Sequence, residues 1–156
     1  MTKSYAHVAA MAQPDRTACW STSMAWWTKT LPKVKDFEEI DILGRYHHLT
    51  GSDGGLNFPE GYKSMLSDPL WGMTIHDNSM GTAFADHSKT LFKRSPVMCG
   101  YWDYSVGGYH SVALYGFKHG DGVWAMDPNG GVHVFRTFDY YFQPLKSTIL
   151  GYIKDK

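Results

Sequence analysis

Apolar residues recur at helical spacing in the N-terminal part of the chain. Trp20, Met24 and Trp27 lie three or four positions apart, which places them on one face of a helix. The segment Gln-Pro-Asp-Arg-Thr ahead of them supplies a helix breaker and side chains able to cap a helix. The pattern therefore predicts a helix from about Thr17 to Lys29.

Two more helices and one long loop are predicted before the strand-like part of the chain begins. The helices span Asp36–Tyr46 and about Ser79–Phe92, where residues at helical spacing share one face. Between them, Thr50–Gly61 reads TGSDGGLNFPEG and is rich in turn-forming residues. We expect this segment to be a surface loop within the domain.

From Ser95 onward the pattern changes to short apolar runs that are typical of strands. These runs read PVMCGYW, HSVALYGF, GVWAMD and GVHVF, and the turn sequences HGDG and PNGG separate the last three. Asp-Gly and Asn-Gly are strong hairpin signals, so an antiparallel meander is expected. Helices first and strands afterwards predict an α+β domain, in which an active site would lie between the helical half and the sheet.

Length and charge narrow the range of partners. The 156 residues fit a single domain spanning 1–156. Fifteen basic residues balance fifteen acidic ones, so no overall field attracts nucleic acid or an anionic membrane surface. No stretch approaches the roughly 20 apolar residues of a membrane-spanning helix, and the N-terminus does not resemble a secretory signal peptide. We therefore expect a soluble monomer without a nucleic-acid or membrane partner.

The chain has two cysteines, Cys19 and Cys99, and this low number indicates free thiols rather than a disulfide framework. Cys19 falls in the first turn of the predicted helix, where unpaired backbone N–H groups and a partial positive charge stabilise a thiolate. A thiolate so placed is a candidate nucleophile. The alternative is a buried structural cysteine, because unpaired cysteines are among the most buried residues.

His110 is the candidate base among the eight histidines. It stands at the head of an apolar strand, after Val-Gly-Gly-Tyr, where an imidazole can face a cleft while the strand stays in the core. The other histidines lie in turns, near helix ends or without evident partners. Neither His-Glu-x-x-His nor paired Cys-x-x-Cys occurs, so no metal ion or other cofactor is expected.

Asp127 ends the strand that follows His110, and the intervening hairpin brings it back towards the histidine. A carboxylate or amide at that point can fix the tautomer of the imidazole ring. Counting the register, however, places Asn129 or Gly130 nearer to His110. A bend or bulge at Asp127-Pro128 would bring the aspartate into place, since proline removes a ladder donor. Asn129 therefore stays the alternative orienting residue, and the alternative role of Asp127 is that of a plain turn residue.

The motifs Q-x5-C-W, GYHSVALYGF and VWAMDPNGG together resemble the papain-like cysteine peptidases. The compact bacterial branch is the more similar one, namely the double-glycine peptidases that process bacteriocins and the papain-type effector proteases of plant pathogens. The resemblance covers roughly residues 13–142 and implies four roles. Gln13 is implied as oxyanion donor, Cys19 as nucleophile, His110 as general base and Asp127 as the residue that orients the histidine.

The function that this resemblance implies is that of a cysteine endopeptidase. The expected biological role is that of a bacterial effector or toxin domain that cleaves a protein of the target cell. Such a domain needs a specialised delivery system and a cognate inhibitor or immunity protein in the producing cell. Two enzymatic alternatives are deamidation or acyl transfer by the same residues, and maturation of a secreted peptide. The non-enzymatic alternative is an inactive module that binds a peptide in an aromatic cleft.

Overall fold

The structure is a computed structural model that describes residues 5–31, 36–77, 92, 94–118, 122–143 and 146–153. Its α-helices are α1 (Cys19–Lys29), α2 (Glu39–Tyr46), α3 (Glu60–Leu66) and α4 (Phe138–Tyr141). Its strands are β1 (Thr74–Asp77), β2 (Val97–Asp103), β3 (Gly108–Lys118), β4 (Gly122–Asp127), β5 (Val132–Thr137) and β6 (Ile149–Tyr152).

The six strands form one antiparallel sheet in the order β1-β6-β2-β3-β4-β5. β2 to β5 follow one another as a meander, as the turn sequences predicted. The last strand, β6, inserts between β1 and β2. The C-terminal part of the chain therefore joins the edge strand β1 to the meander.

Helix α1 lies against the sheet and is buried on nearly all sides. Every residue from Trp20 to Thr28 is buried, which is typical of a helix enclosed in the core of a domain. The indole Nε1 of Trp27 donates to the carbonyl oxygen of Pro96 at 2.9 Å, and that of Trp26 donates to Ala9 at 3.1 Å. These bonds let two large aromatic side chains enter the core with their polar atoms paired.

Apolar clusters cover both faces of the sheet, because successive strand residues point to opposite sides. On one face, Met98, Ala113 and Met126 pack in a cluster with the tryptophans of α1. On the other face, a second cluster includes Cys99, Val112, Val123, Leu150 and the α4 residues Phe138 and Tyr141. A cleft opens at the N-terminal end of α1, beside the first residues of β3.

The α+β class is confirmed, with the helix that begins at Cys19 packed on an antiparallel sheet. The first two predicted helices are present, although α1 begins at Cys19 and α2 at Glu39. The predicted helix at Ser79–Phe92 lies outside the described residues, except for Phe92 itself. None of the helices within the described ranges has the length and hydrophobicity that a membrane crossing requires.

Four short elements were missed. They are α3, which begins at Glu60 inside the segment predicted as a loop, α4, and the strands β1 and β6. Each has between four and seven residues, so the pattern of apolar positions is too short to separate helix, strand and loop. β1 also precedes the predicted β region, so the separation of helices and strands along the chain is less strict than expected.

Candidate active site

Cys19 is the first residue of α1 and is partly exposed. No acidic residue lies in the first turn of this helix, and no side chain caps its N-terminus. The capping expected from the preceding segment is therefore wrong. Asp15 instead accepts hydrogen bonds from the backbone N–H and the hydroxyl of Thr17, at 2.8 and 2.7 Å. The positive end of the helix dipole and the first-turn N–H groups are thus left to act on the Cys19 thiol.

His110 lies between Cys19 and Asp127. Its Nε2 atom is 2.7 Å from Oδ1 of Asp127, and both side chains are only 4% exposed. The Cys19 thiol lines the same cleft and is close enough to the ring to raise the pKa of His110. Because Asp127 occupies Nε2, the ring nitrogen left for the thiol is Nδ1. The fold therefore brings together the three residues that the sequence analysis had chosen, from α1, β3 and the end of β4.

The charges at the site support one another. Burial alone would keep His110 neutral, but its hydrogen bonds with Asp127 and Cys19 outweigh burial and raise the pKa of His110 to about 10. Burial also opposes a charge on Asp127, whereas hydrogen bonds from His110 and Arg136 hold the pKa of Asp127 below its usual value. The site thus favours an imidazolium next to a carboxylate, and an imidazolium is the partner that stabilises a thiolate.

Arg136 was missed by the sequence analysis, and it binds the second oxygen of the Asp127 carboxylate. Its Nη1 atom donates to Oδ2 at 2.9 Å, while the backbone N–H of Asn129 donates to Oδ1 at 2.9 Å. The guanidinium also lies 4.4 Å from the ring centre of Tyr140. These contacts fix both oxygens of the carboxylate. The only sequence signal was an arginine directly after the run GVHVF, and arginines at strand ends are mostly exposed surface residues.

The sheet register explains why Asp127, and not Asn129, contacts the histidine. β3 pairs with β4 through Ala113 and Met126. Continuing that count beyond the end of β4 puts Asn129 level with His110, which is one of the two positions, Asn129 or Gly130, that the sequence count left open. Residues two apart on a strand share a face, so Asp127 reaches the imidazole diagonally. The expected bulge at Asp127-Pro128 is wrong, because the irregularity of this ladder lies in β3, between Leu114 and Gly116.

Gln13 lines the same cleft as Cys19 and His110. Its backbone N–H donates to the carbonyl oxygen of Pro128 at 2.9 Å, and its side-chain Nε2 donates to the carbonyl oxygen of Asp15 at 2.7 Å. The second bond fixes the amide orientation, because a carbonyl oxygen can only accept. It uses one of the two N–H bonds of the amide. The amide oxygen Oε1 is buried and has no hydrogen-bond partner among the described residues.

The cleft has a volume of about 770 Å³ and runs past the Cys19 thiol. One wall is the segment from Asp53 to Phe58, and the other is the β2–β3 hairpin from Val106 to Tyr109. The rings of Phe58 and Tyr109 stack with their centres 3.8 Å apart, so the two walls meet at this point. Trp20 and Tyr62, both 2% exposed, also line the cleft, while Trp27 belongs to the core.

The described residues contain no group of three or more His, Cys, Asp or Glu side chains that could hold a metal ion. His133, in β5, illustrates how the remaining histidines are used. Its Nδ1 atom is 2.9 Å from the hydroxyl of Tyr115, and its Nε2 atom is 3.0 Å from the carbonyl oxygen of Val8. It thereby ties the N-terminal segment to the sheet and takes no part in the cleft.

The fold described above is the papain-like fold, and a solved structure bears this out. The chain is similar to the peptidase domain of Streptococcus ComA, a bi-functional ABC transporter involved in a quorum-sensing pathway. The TM-score is 0.67 at 13% sequence identity, and the match covers 94% of this chain and 98% of that domain. No protein-family model matches the sequence, and no curated protein matches it. At this identity the likeness establishes the fold.

Proposed function

We propose that the protein is a cysteine endopeptidase in which Cys19 is the nucleophile and His110 the general base. The observation that carries this proposal is the position of His110, which is hydrogen-bonded to the buried Asp127 carboxylate and lines the same cleft as the Cys19 thiol. The likeness to a solved peptidase domain supports it. An inactive binding module would have no need for a thiol, an imidazole and a buried carboxylate in this order.

The proposal gives each of these residues a role in the reaction. His110 takes the proton of Cys19, and the thiolate attacks the carbonyl carbon of the substrate. The oxyanion that forms would accept hydrogen bonds from the second N–H of the Gln13 amide and from the backbone N–H of Cys19. When the C–N bond breaks, His110 gives its proton to the leaving amine and a thioester remains on Cys19. His110 then takes a proton from water, whose oxygen attacks the thioester and restores the thiol.

The same residues can attack a side-chain amide instead of a peptide bond, so deamidation or acyl transfer is the chemical alternative. The product distinguishes the reactions. Peptide hydrolysis produces two fragments whose masses add up to the substrate plus one water. Deamidation leaves the chain intact with loss of ammonia and gain of water, and acyl transfer adds the mass of the acceptor minus the leaving group.

Two biological roles use the endopeptidase chemistry. The first is the effector or toxin role, in which the substrate is a protein of the target cell and an inhibitor protein protects the producer. The second is maturation of a secreted peptide. The similarity to the peptidase domain of a transporter involved in quorum sensing supports the second role. Production of the protein inside bacteria separates them, since Cys19-dependent arrest of growth supports the toxin role.

Alkylation of the native protein by iodoacetamide tests the site without any knowledge of the substrate. Intact mass would be followed across pH for the wild type, Cys19→Ala, His110→Ala and Cys99→Ala. Cys99 is the matched control, because it is fully buried and burial raises the pKa of its thiol. We expect one fast adduct well below pH ~8.5, the pKa of a free thiol. It should persist in Cys99→Ala, disappear in Cys19→Ala and slow in His110→Ala.

Cleavage itself is measured by mass spectrometry of a proteome-derived peptide library incubated with each variant. New termini should form with the wild type and with Cys99→Ala, and none with Cys19→Ala. An unreactive Cys19, or cleavage that persists in Cys19→Ala, contradicts the proposal. Circular dichroism spectra of the variants would show that the fold is retained.

A further inference from the structure

Three buried hydroxyl groups connect the helix that carries Cys19 with the strand that carries His110. Oγ of Ser23 is 2.7 Å from the carbonyl oxygen of Cys19 and 2.7 Å from Oγ of Ser111. The hydroxyl of Tyr62 is 2.9 Å from the same Ser111 oxygen. All three side chains are at most 2% exposed. We call Tyr62, Ser111 and Ser23 the hydroxyl chain.

The direction of these hydrogen bonds follows from counting donors. The carbonyl oxygen of Cys19 can only accept, so the single hydroxyl hydrogen of Ser23 is donated to it. Ser111 must then donate to Ser23, and Tyr62 must donate to Ser111. Every hydroxyl in the hydroxyl chain therefore donates towards Cys19. Hydrogen bonds arranged in one direction polarise one another, so the hydroxyl chain is stronger than separate pairs.

The fold leaves room for this arrangement at one glycine. Gly100 of β2 pairs with Ser111 of β3, and a Cβ atom on Gly100 would lie 2.7 Å from Cε2 of Tyr62. Real Cβ atoms do not approach so closely. The missing side chain lets the Tyr62 ring lie on the sheet, where its hydroxyl reaches Ser111. Burial raises the pKa of Tyr62 well above 10, so this hydroxyl keeps its proton and remains a donor.

The hydroxyl chain acts on both partners of the reactive pair. Ser23 follows Cys19 by one helical turn, and Ser111 directly follows His110 in β3. Adjacent strand residues point to opposite faces, so Ser111 faces α1 while His110 faces the carboxylate. The bond between Ser23 and Ser111 therefore fixes the height of α1 above β3. A slide of α1 along the sheet would move the thiol away from the imidazole.

We propose that Tyr62, Ser111 and Ser23 are positioning residues that hold the Cys19 thiol within hydrogen-bond distance of His110. The inference rests on the proposed function, because it assigns a purpose to the distance between these two groups. A purely structural role would affect stability alone. Positioning also affects the pH at which the thiol becomes reactive.

The test is the rate of alkylation by iodoacetamide across pH, measured on the full chain. Tyr62→Phe, Ser111→Ala and Ser23→Ala each remove one hydroxyl and little else. At about pH 6 we expect each to slow labelling of Cys19 by about five- to tenfold, the factor that one internal hydrogen bond provides. The pH profile should shift towards that of His110→Ala. Ser111→Thr retains a hydroxyl and should restore the wild-type profile.

Two controls remove hydroxyl groups of the same kind elsewhere. Thr30→Val removes a hydroxyl at the end of α1 that donates to the carbonyl oxygen of Trp27 at 2.6 Å. Tyr46→Phe removes a buried tyrosine hydroxyl that is 2.6 Å from Asp68. Both should lower stability and leave the alkylation profile of the folded protein unchanged.

The outcomes separate the inference from the function on which it rests. Wild-type labelling without any dependence on His110 refutes the proposed function and the inference together. An activated thiol in the wild type, with unchanged profiles in all three hydroxyl variants, refutes the inference alone. If Ser111→Ala does not fold, the alkylation profile of Tyr62→Phe still tests the inference, because this variant keeps the aromatic ring in place. In the double variant Tyr62→Phe/Ser23→Ala, the fold-decrease of the Cys19 alkylation rate should be smaller than the product of the two single fold-decreases, since the hydroxyls act as one unit.

Discussion

Gln13 is fastened to Pro128, the residue that follows Asp127, by a backbone hydrogen bond of 2.9 Å. The turn that contains Pro128 approaches the N-terminal segment closely at Gly131. A Cβ atom there would lie 2.8 Å from the backbone nitrogen of Ala12, and the φ angle of this glycine is +64°. One contact between two loops thus holds both the predicted oxyanion donor and the turn next to the carboxylate.

Gly131→Ala should impair the enzyme more than Gly130→Ala. Both glycines have a positive φ, but a Cβ atom on Gly130 meets nothing within 4 Å. Each substitution strains the backbone by about 1 kcal/mol or more, visible in urea unfolding. Only Gly131→Ala also displaces Ala12, and with it Gln13, so kcat should decrease only in this variant. Equal kcat in the two variants would show that the contact does not position Gln13.

Gln13→Ala should lower kcat by about 10²- to 10³-fold, the usual loss for one oxyanion donor. Its effect on alkylation of Cys19 should be small, because iodoacetamide develops no oxyanion at the carbonyl. Gln143→Ala is the matched control, since its Nε2 also donates to a nearby backbone carbonyl oxygen, that of Tyr140, at 3.0 Å. If alkylation slows as much as peptide cleavage, Gln13 acts on the thiol and not on the oxyanion.

Asp127→Asn should lower kcat by between about 10²- and 10⁴-fold, because it removes the charge that stabilises the His110 imidazolium. The pKa of His110 should fall, and with it the alkylation rate of Cys19 at acid pH. Asn129→Ala should have the smaller effect, since Asn129 contacts the carboxylate through its backbone N–H. The reverse order of the two losses would make Asn129 the orienting residue.

The free energy of unfolding of Cys19→Ala should decrease as pH rises above 6.5. In this variant no thiol exchanges a proton with His110. The folded His110 retains a proton that the unfolded chain loses near pH 6.5, because its bond with Asp127 outweighs burial and raises the pKa of the ring. The stabilisation is complete below pH 6.5 and disappears as pH passes the raised pKa, by at most about 1.4 kcal/mol per pH unit. Urea unfolding at about pH 6 and about pH 9.5 measures it. Adding Asp127→Asn should make the decrease smaller, and an equal decrease with and without it would contradict the assignment.

Long patterns in the sequence were sufficient to predict α1, α2 and the meander. The helix at Cys19 shows three apolar residues at helical spacing, and the strands after Ser95 are separated by Asn-Gly and Asp-Gly turns. The pairing of β6 with β1 and β2 joins segments that are far apart in the chain. Such pairing leaves no local signal, and these two strands were therefore missed.

In the candidate site, too, some features followed from local sequence patterns and others from contacts remote in sequence. Cys19 and His110 could be chosen from the sequence, because each stands at the start of a recognisable element. The count along the β3–β4 ladder left Asn129 and Gly130 as the positions nearest to His110. It could not show that the side chain of Asp127 reaches the imidazole diagonally, nor that Arg136 of the next strand holds the other carboxylate oxygen. Those contacts depend on side-chain direction across neighbouring strands.

The residue pattern alone was enough to predict α1, α2 and the meander, the order of the four candidate residues and two free thiols. Local physics governs these features, namely hydrophobic periodicity, turn chemistry and the dipole of a helix. The tertiary structure alone decided which carboxylate meets His110, how the Gln13 amide is oriented and how the hydroxyl chain joins α1 to β3. Each of these depends on distances between side chains remote in sequence, which are set only when the helix packs on the sheet.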